Sequence, residues 1–149
     1  MKRRKLSVAS VIAVAVLLAI AGGRIFIHTA DVVTYSETES DRLLGRLHQE
    51  QRDGVQVQGS GEVARILPDD NKGSRHQRFI LALSTGQTLL VAHNIDLAPR
   101  IEDLKTGDKI EFMGEYEWNP AGGVIHWTHR DPSGKHTPGW LEHRGQRYW

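Results

Sequence analysis

The chain has 149 residues, a formal net charge of +1, 39% apolar and 25% charged residues, and no cysteine. That length holds one domain plus an appendage, and the near-neutral balance supplies no global field to steer the protein toward nucleic acid. The lack of cysteine excludes disulfides, thiolate metal sites, a cysteine nucleophile and lipid attachment through an N-terminal cysteine.

Residues 1–5, MKRRK, form a basic flank. The uncharged run from Leu6 to Gly23 follows; as a helix, about 18 residues span about 27 Å, close to the roughly 30 Å of bilayer hydrocarbon. Positive residues stay on the cytoplasmic side, which places everything after the run outside. Two readings stand for residues 6–27. Ala19-Ile20-Ala21 has the small residues of a signal-peptidase site, which would release a secreted domain. Apolar character resumes at Ile25-Phe26-Ile27, which favours an uncleaved transmembrane helix in a bacterial inner membrane, with the C-terminal domain in the periplasm. Residues 28–54 read as a linker with a short helix over 40–53, bearing Leu43, Leu44 and Leu47 on one face and stopped by Gly54.

From Val55 the pattern changes to strands. VQVQGSGEVARIL alternates, with Gly59 and Gly61 marking a bend or bulge. HQRFILALS and QTLLVAHN form a hairpin around Thr85-Gly86. IDLAPRIEDL is a turn or short helix limited by Pro99. In TGDKIEFMGEYEW, Ile110, Phe112, Tyr116 and Trp118 fall on one face, and Glu111, Met113, Glu115 and Glu117 on the other. NPAG is a tight turn and GVIHWTH the last strand. Three strands, a short helical connection and two strands predict an all-β domain over 55–149, an OB-like five-stranded Greek-key barrel. A four-residue turn over Asn119–Gly122 sets Tyr116 opposite Ile125, Glu115 opposite His126 and Gly114 opposite Trp127. This puts the Trp127 ring on the apolar face over Gly114.

The phrases LLVAHNIDLAPRI, GDKIEFMGEYEWNPAGGVIHWTHRDPSGKH and GWLEHRG resemble a family of small bacterial proteins known as a domain of unknown function. The likeness covers roughly Gln58 to Tyr148 and is carried most specifically by the HWTHxDPxGxH core, His126 to His136. It implies a bacterial exported protein and brings no activity with it.

The closing segment holds His126, His129, His136 and His143 of the chain's eight histidines, and Trp127, Trp140 and Trp149 of its four tryptophans. Candidate ligand-binding residues are His93, Asn94, His126, Trp127, His129, Asp131, His136 and His143. If the strand runs on, His129 and Asp131 share a face, and His136 folds back from the Pro-Ser-Gly turn. That set, His129, Asp131 and His136, suits zinc or another divalent transition metal. The alternative is that each imidazole bonds a backbone carbonyl or a carboxylate, with Trp140 and Leu141 forming a lid. No nucleophile-elbow, phosphate-loop or HExxH phrase occurs. The expected role is therefore a non-catalytic, membrane-tethered binding module for a small ligand, glycan or envelope protein, not nucleic acid. A metal-dependent hydrolase or nuclease on the same histidines is the alternative.

Overall fold

A computed structural model describes residues 16–21, 24–29 and 37–149. The expected basic flank, the start of the apolar run and most of the linker ahead of the helix lie outside the described residues. The chain divides into two compact units, 1–34 and 35–149. In the first, Val16–Ala21 (β1) pairs antiparallel with Arg24–Thr29 (β2), Ile20 facing Ile25. The transmembrane helix expected over 6–27 is thus replaced, in its described part, by a hairpin. The run is rich in Val, Ile and Leu, and β-branched residues fit a strand at least as well as a helix. No helix among the described residues is long and apolar enough to cross a membrane.

The second unit opens with the helix Glu37–Gln49 (α1), 13 residues long. A helix of this length is marginal by itself in water and draws its stability from packing. Leu44 and Leu47 are buried in the core and Leu43 packs against it. Asp41 accepts hydrogen bonds from the amide and hydroxyl of Ser84. The carbonyl of His48 accepts from Nε1 of Trp118 at 3.1 Å.

The barrel strands are Val55–Ile66 (β3), His76–Ala82 (β4), Thr88–Asn94 (β5), Lys109–Glu117 (β6) and Val124–His126 (β7). They run in the order β3-β4-β5-β7-β6, and β6 closes on β3. Neighbours are antiparallel except β5 and β7, which are parallel. The expected closed five-stranded barrel is therefore present. β3 serves two partners, β6 along 55–62 and β4 from Glu62 on, with a register shift between Val63 and Arg65. Alternate residues of β4, β5 and β6 point inward, so Phe79, Leu81, Leu89, Val91, Ile110, Phe112 and Tyr116 are fully buried.

Of the two forms expected after β5, a turn or a short helix, the connection 95–108 takes the turn. Pro99 restricts it, and a side chain replaces the missing helical hydrogen bonds: Gln77 donates to the Ile101 carbonyl and accepts from the Ile101 amide, at 2.9 and 3.0 Å. This pair of hydrogen bonds holds the backbone of Ile101, whose side chain is buried. The helix that packs on the core is α1, which precedes the barrel.

The register of the last hairpin is the expected one, with Glu115 opposite His126 and Tyr116 opposite Ile125. The strand then stops. Trp127 has φ 52°, in the left-handed region that non-glycine residues seldom adopt. The Trp127 ring therefore does not lie over Gly114, and the face expected for it is corrected. The chain bulges outward over 127–139 and returns as Trp140–His143 (β8), which pairs with the first half of β6, Phe112 opposite Leu141. Gln146–Tyr148 (β9) then pairs with β8. Leu141 and Trp140 are buried, so this part of the closing segment is a lid built as strand.

At Gly114 a Cβ would stand 2.4 Å from the His126 carbonyl oxygen and 3.0 Å from methyl groups of Ile125 and Thr128. Gly114→Val should therefore lower the melting temperature, at a cost of about 1–3 kcal/mol. An unchanged melting curve would refute this crossing of the two strands.

Candidate functional site

The loop 127–139 carries four of the eight candidate residues, Trp127, His129, Asp131 and His136. Its base is closed by a bond from the Gly139 amide to the His129 carbonyl, at 3.0 Å. Its tip is organised by one carboxylate. Asp131 accepts from the amides of Ser133, Lys135 and His136, each at 2.9 Å, and from the Ser133 hydroxyl at 2.7 Å. The Ser133 hydroxyl first, then these amides, hold its carboxyl far below the usual carboxylate range.

His136 is brought back against β6. Its Nδ1 donates to the Thr137 carbonyl and its Nε2 to Oε2 of Glu115, both at 2.8 Å. Two donating nitrogens define an imidazolium. Desolvation works against that charge, but the Glu115 hydrogen bond, the Thr137 carbonyl and the nearby carboxylates prevail, and the His136 pKa is raised. The His136 ring stacks on Trp127 at 4.0 Å between centroids and 8° between planes. Trp127 also meets the His129 ring, at 5.3 Å.

The structure separates the histidines that the sequence groups together. His93 lies inside the barrel and is fully buried. Its Nε2 donates to the Pro99 carbonyl at 3.1 Å, because a carbonyl can only accept, and the Thr128 hydroxyl donates to Nδ1 at 2.8 Å. Burial above all pushes its pKa down to about 4, and the charges of His129 and His76 push the same way. Both nitrogens are used in holding Thr128 and the 95–108 connection together. Asn94 ends β5, and its Oδ1 accepts from the Asp96 amide. His143 lies on β8 opposite Ile110, and its Nε2 bonds Asp108 at 2.9 Å. The Lys105 amide first, then Arg144 and His143, hold the Asp108 carboxyl below its usual range.

The expected metal set of His129, Asp131 and His136 does not form a ligand group. Asp131 is committed to the loop's own amides, His136 to Glu115 and Thr137, and Nδ1 of His129 to the Arg130 carbonyl at 2.8 Å. The ligand-type side chains that do converge are Glu115, Glu117 and His126, on the outer face of β6 and β7. Glu115 and Glu117 stand two residues apart on one strand, and His126 is directly opposite Glu115. Nε2 of His126 lies 3.5 Å from Glu115 and 3.7 Å from Glu117. The alternation of β6 and the turn at Asn119 contain the signal for this group.

Beside this group is a pocket of about 190 Å³, lined by His76, Asn94, Leu97, His126, Trp127 and His129. Nδ1 of His76 donates to the Ser74 carbonyl at 2.8 Å. In the neutral rings of His76 and His129 the proton is therefore on Nδ1, and Nε2 is the acceptor. His76 enters this group only through the pairing of β4 with β5, and nothing near it in sequence signals the pocket.

Fold and site define a small β-barrel module with a lateral loop of histidine and tryptophan. The chain belongs to the family described as protein of unknown function (DUF3465), whose model matches residues 26–149. No curated protein matches it.

The buried, neutral His93 makes stability depend on pH. Its folded pKa of about 4 lies below the ordinary 6.5, so the unfolded chain takes up the proton first as pH falls. The contribution of His93 to stability should be full above pH 6.5, decline toward pH 4 by up to about 3 kcal/mol, and level off below. Melting curves of the wild type and His93→Gln across that interval test this. The variant should lose most of the slope, and an equal slope in both would assign it to other groups.

Proposed function

We propose that the protein is an extracytoplasmic binding module, held at a bacterial inner membrane by its N-terminal apolar run. Its barrel, OB-like in this reading, presents a pocket for one small hydroxylated ring of the sugar type. The observation that carries the ligand class is the lining of the pocket. His76 and His129 offer imidazole acceptors for hydroxyl protons, Asn94 lines the same wall, and Trp127 gives a flat apolar surface. The volume of about 190 Å³ is below the roughly 300 Å³ of pockets for drug-sized ligands, which suits a single ring. The strained backbone of Trp127 and its bracing by His136 favour a site over a passive loop, because such strain persists where surrounding structure holds it for a purpose. A hydrolase built on His129, Asp131 and His136 has less support, since those side chains are bonded elsewhere.

The ligand reading is tested by titrating the full chain with glucose and N-acetylglucosamine while following the Trp127 indole resonance. Saturable shifts are expected, with saturable heat in a parallel calorimetric titration, and that heat should vanish in Trp127→Asn. Asparagine tolerates the left-handed backbone, so the variant should stay folded, which its melting curve checks. Failure of both sugars to shift the resonance, or unchanged binding in the variant, would overturn it.

The topology rests on the basic residues Lys2, Arg3, Arg4 and Lys5 ahead of the uncharged run. An isolated hairpin leaves unpaired strand edges, which hydrocarbon does not tolerate. The proposal therefore requires that the run be helical once in the bilayer. Alkaline phosphatase fused after Trp149 should be active in a bacterial host. A fused reporter that functions only in the cytoplasm should be silent, and the reverse pattern would refute the topology.

A further inference from the structure

We infer that Glu115, Glu117 and His126 form a binding site for a divalent transition-metal ion, with zinc the best match. The inference does not rest on the sugar reading, although His126 serves both.

Among the described residues, these three are the group whose ligand atoms all lie within 4.8 Å of one another. Their separations are the first argument. Nε2 of His126 is 3.5 Å from Oε1 of Glu115 and 3.7 Å from Oε1 of Glu117. These are too long for hydrogen bonds. They are near the spacing of two ligands on one cation, since atoms each about 2.1 Å from a tetrahedral ion are about 3.4 Å apart.

A second observation concerns the nitrogen itself. Nε2 of His126 is shut off from solvent and has no hydrogen-bond partner. A buried ring nitrogen without a partner loses its hydration for nothing. A metal ion between it and the two carboxylates gives the nitrogen a bond and offsets the repulsion of two neighbouring negative charges.

The third argument is support from behind the ligands. Glu115 uses its two oxygens differently: Oε2 accepts from His136, and Oε1 is the atom nearer His126. His136 is held in turn by the Thr137 carbonyl and the Trp127 ring. Outer groups of this kind orient a metal ligand. Glu117 retains 38% side-chain exposure, so an ion can approach from its side and a fourth ligand can come from solvent. Imidazole with carboxylates and no thiolate selects a borderline ion such as zinc over magnesium or calcium.

The test uses the detergent-solubilised full chain. Zinc chloride is titrated by calorimetry, and cobalt(II) is titrated as a reporter of geometry. The expected result is saturation at one ion per chain, with the intense visible bands of four-coordinate cobalt. Glu117→Gln should weaken binding at least about 100-fold while leaving the glucose titration unaltered, because Glu117 does not line the pocket. His143→Gln, at the Asp108 pair, should bind as the wild type does and so exclude general histidine binding. Circular dichroism establishes that each variant is folded. If Glu117→Gln does not fold, Glu115→Gln is read in the same way. No saturable binding of either ion by the folded wild type would overturn the inference. So would equal affinity in the wild type and Glu117→Gln, or loss of binding in His143→Gln. The sugar titration is run without metal, so failure of either proposal leaves the other standing on its own result.

Discussion

Two close backbone approaches make the outer surface of this barrel possible. The His126 carbonyl lies where a Cβ on Gly114 would be, at 2.4 Å, and the Trp127 carbonyl lies 1.9 Å from the Cβ that Gly139 lacks. Only glycine lets backbone come this near. With both in place, β7 can end at His126, the chain can swing out through Trp127, and β8 can take over pairing with β6. The loop, the pocket beside it and the positions of His126 and His136 all depend on that exit and return.

Much of the barrel is legible in the sequence because strand burial has a period of two. Ile110, Phe112 and Tyr116 mark the inner face of β6 without ambiguity, and the Asn119–Gly122 turn sets the register that brings Glu115 to His126. What escapes is non-periodic. The left-handed Trp127 breaks a segment whose composition reads as continuous strand, so the continuation through His129 and Asp131 fails, and the metal set built on it fails too. β8 and β9 are four and three residues long, too short to show alternation. The helix over Leu43, Leu44 and Leu47 is visible from its apolar spacing, but its contribution to the barrel core is a tertiary matter. The connection after β5 forgoes a helix because Gln77, distant in sequence, bonds Ile101 instead.

The histidines show how little residue type determines by itself. His93 is neutral and structural because it is buried with its nitrogens bonded on both sides. His136 is cationic because two acceptors converge on it. His143 pairs with Asp108 on the β6–β8 side of the barrel. His126 alone among these has a buried nitrogen without a bond. Four environments produce four different chemistries, and residue type encodes none of them directly.

Closure of the barrel has a further consequence for coexistence with copies of itself. β3 closes the barrel by pairing with β6 along 55–62 and with β4 from Glu62 on, and the strand order runs out to β9, three residues long. Its Arg147 is tied to Glu142 at 2.8 Å and lies over the Trp140 ring. A short edge bearing a charged side chain is a poor template for strand addition by another chain. That end of the sheet is therefore guarded against joining edge to edge with another copy of the chain.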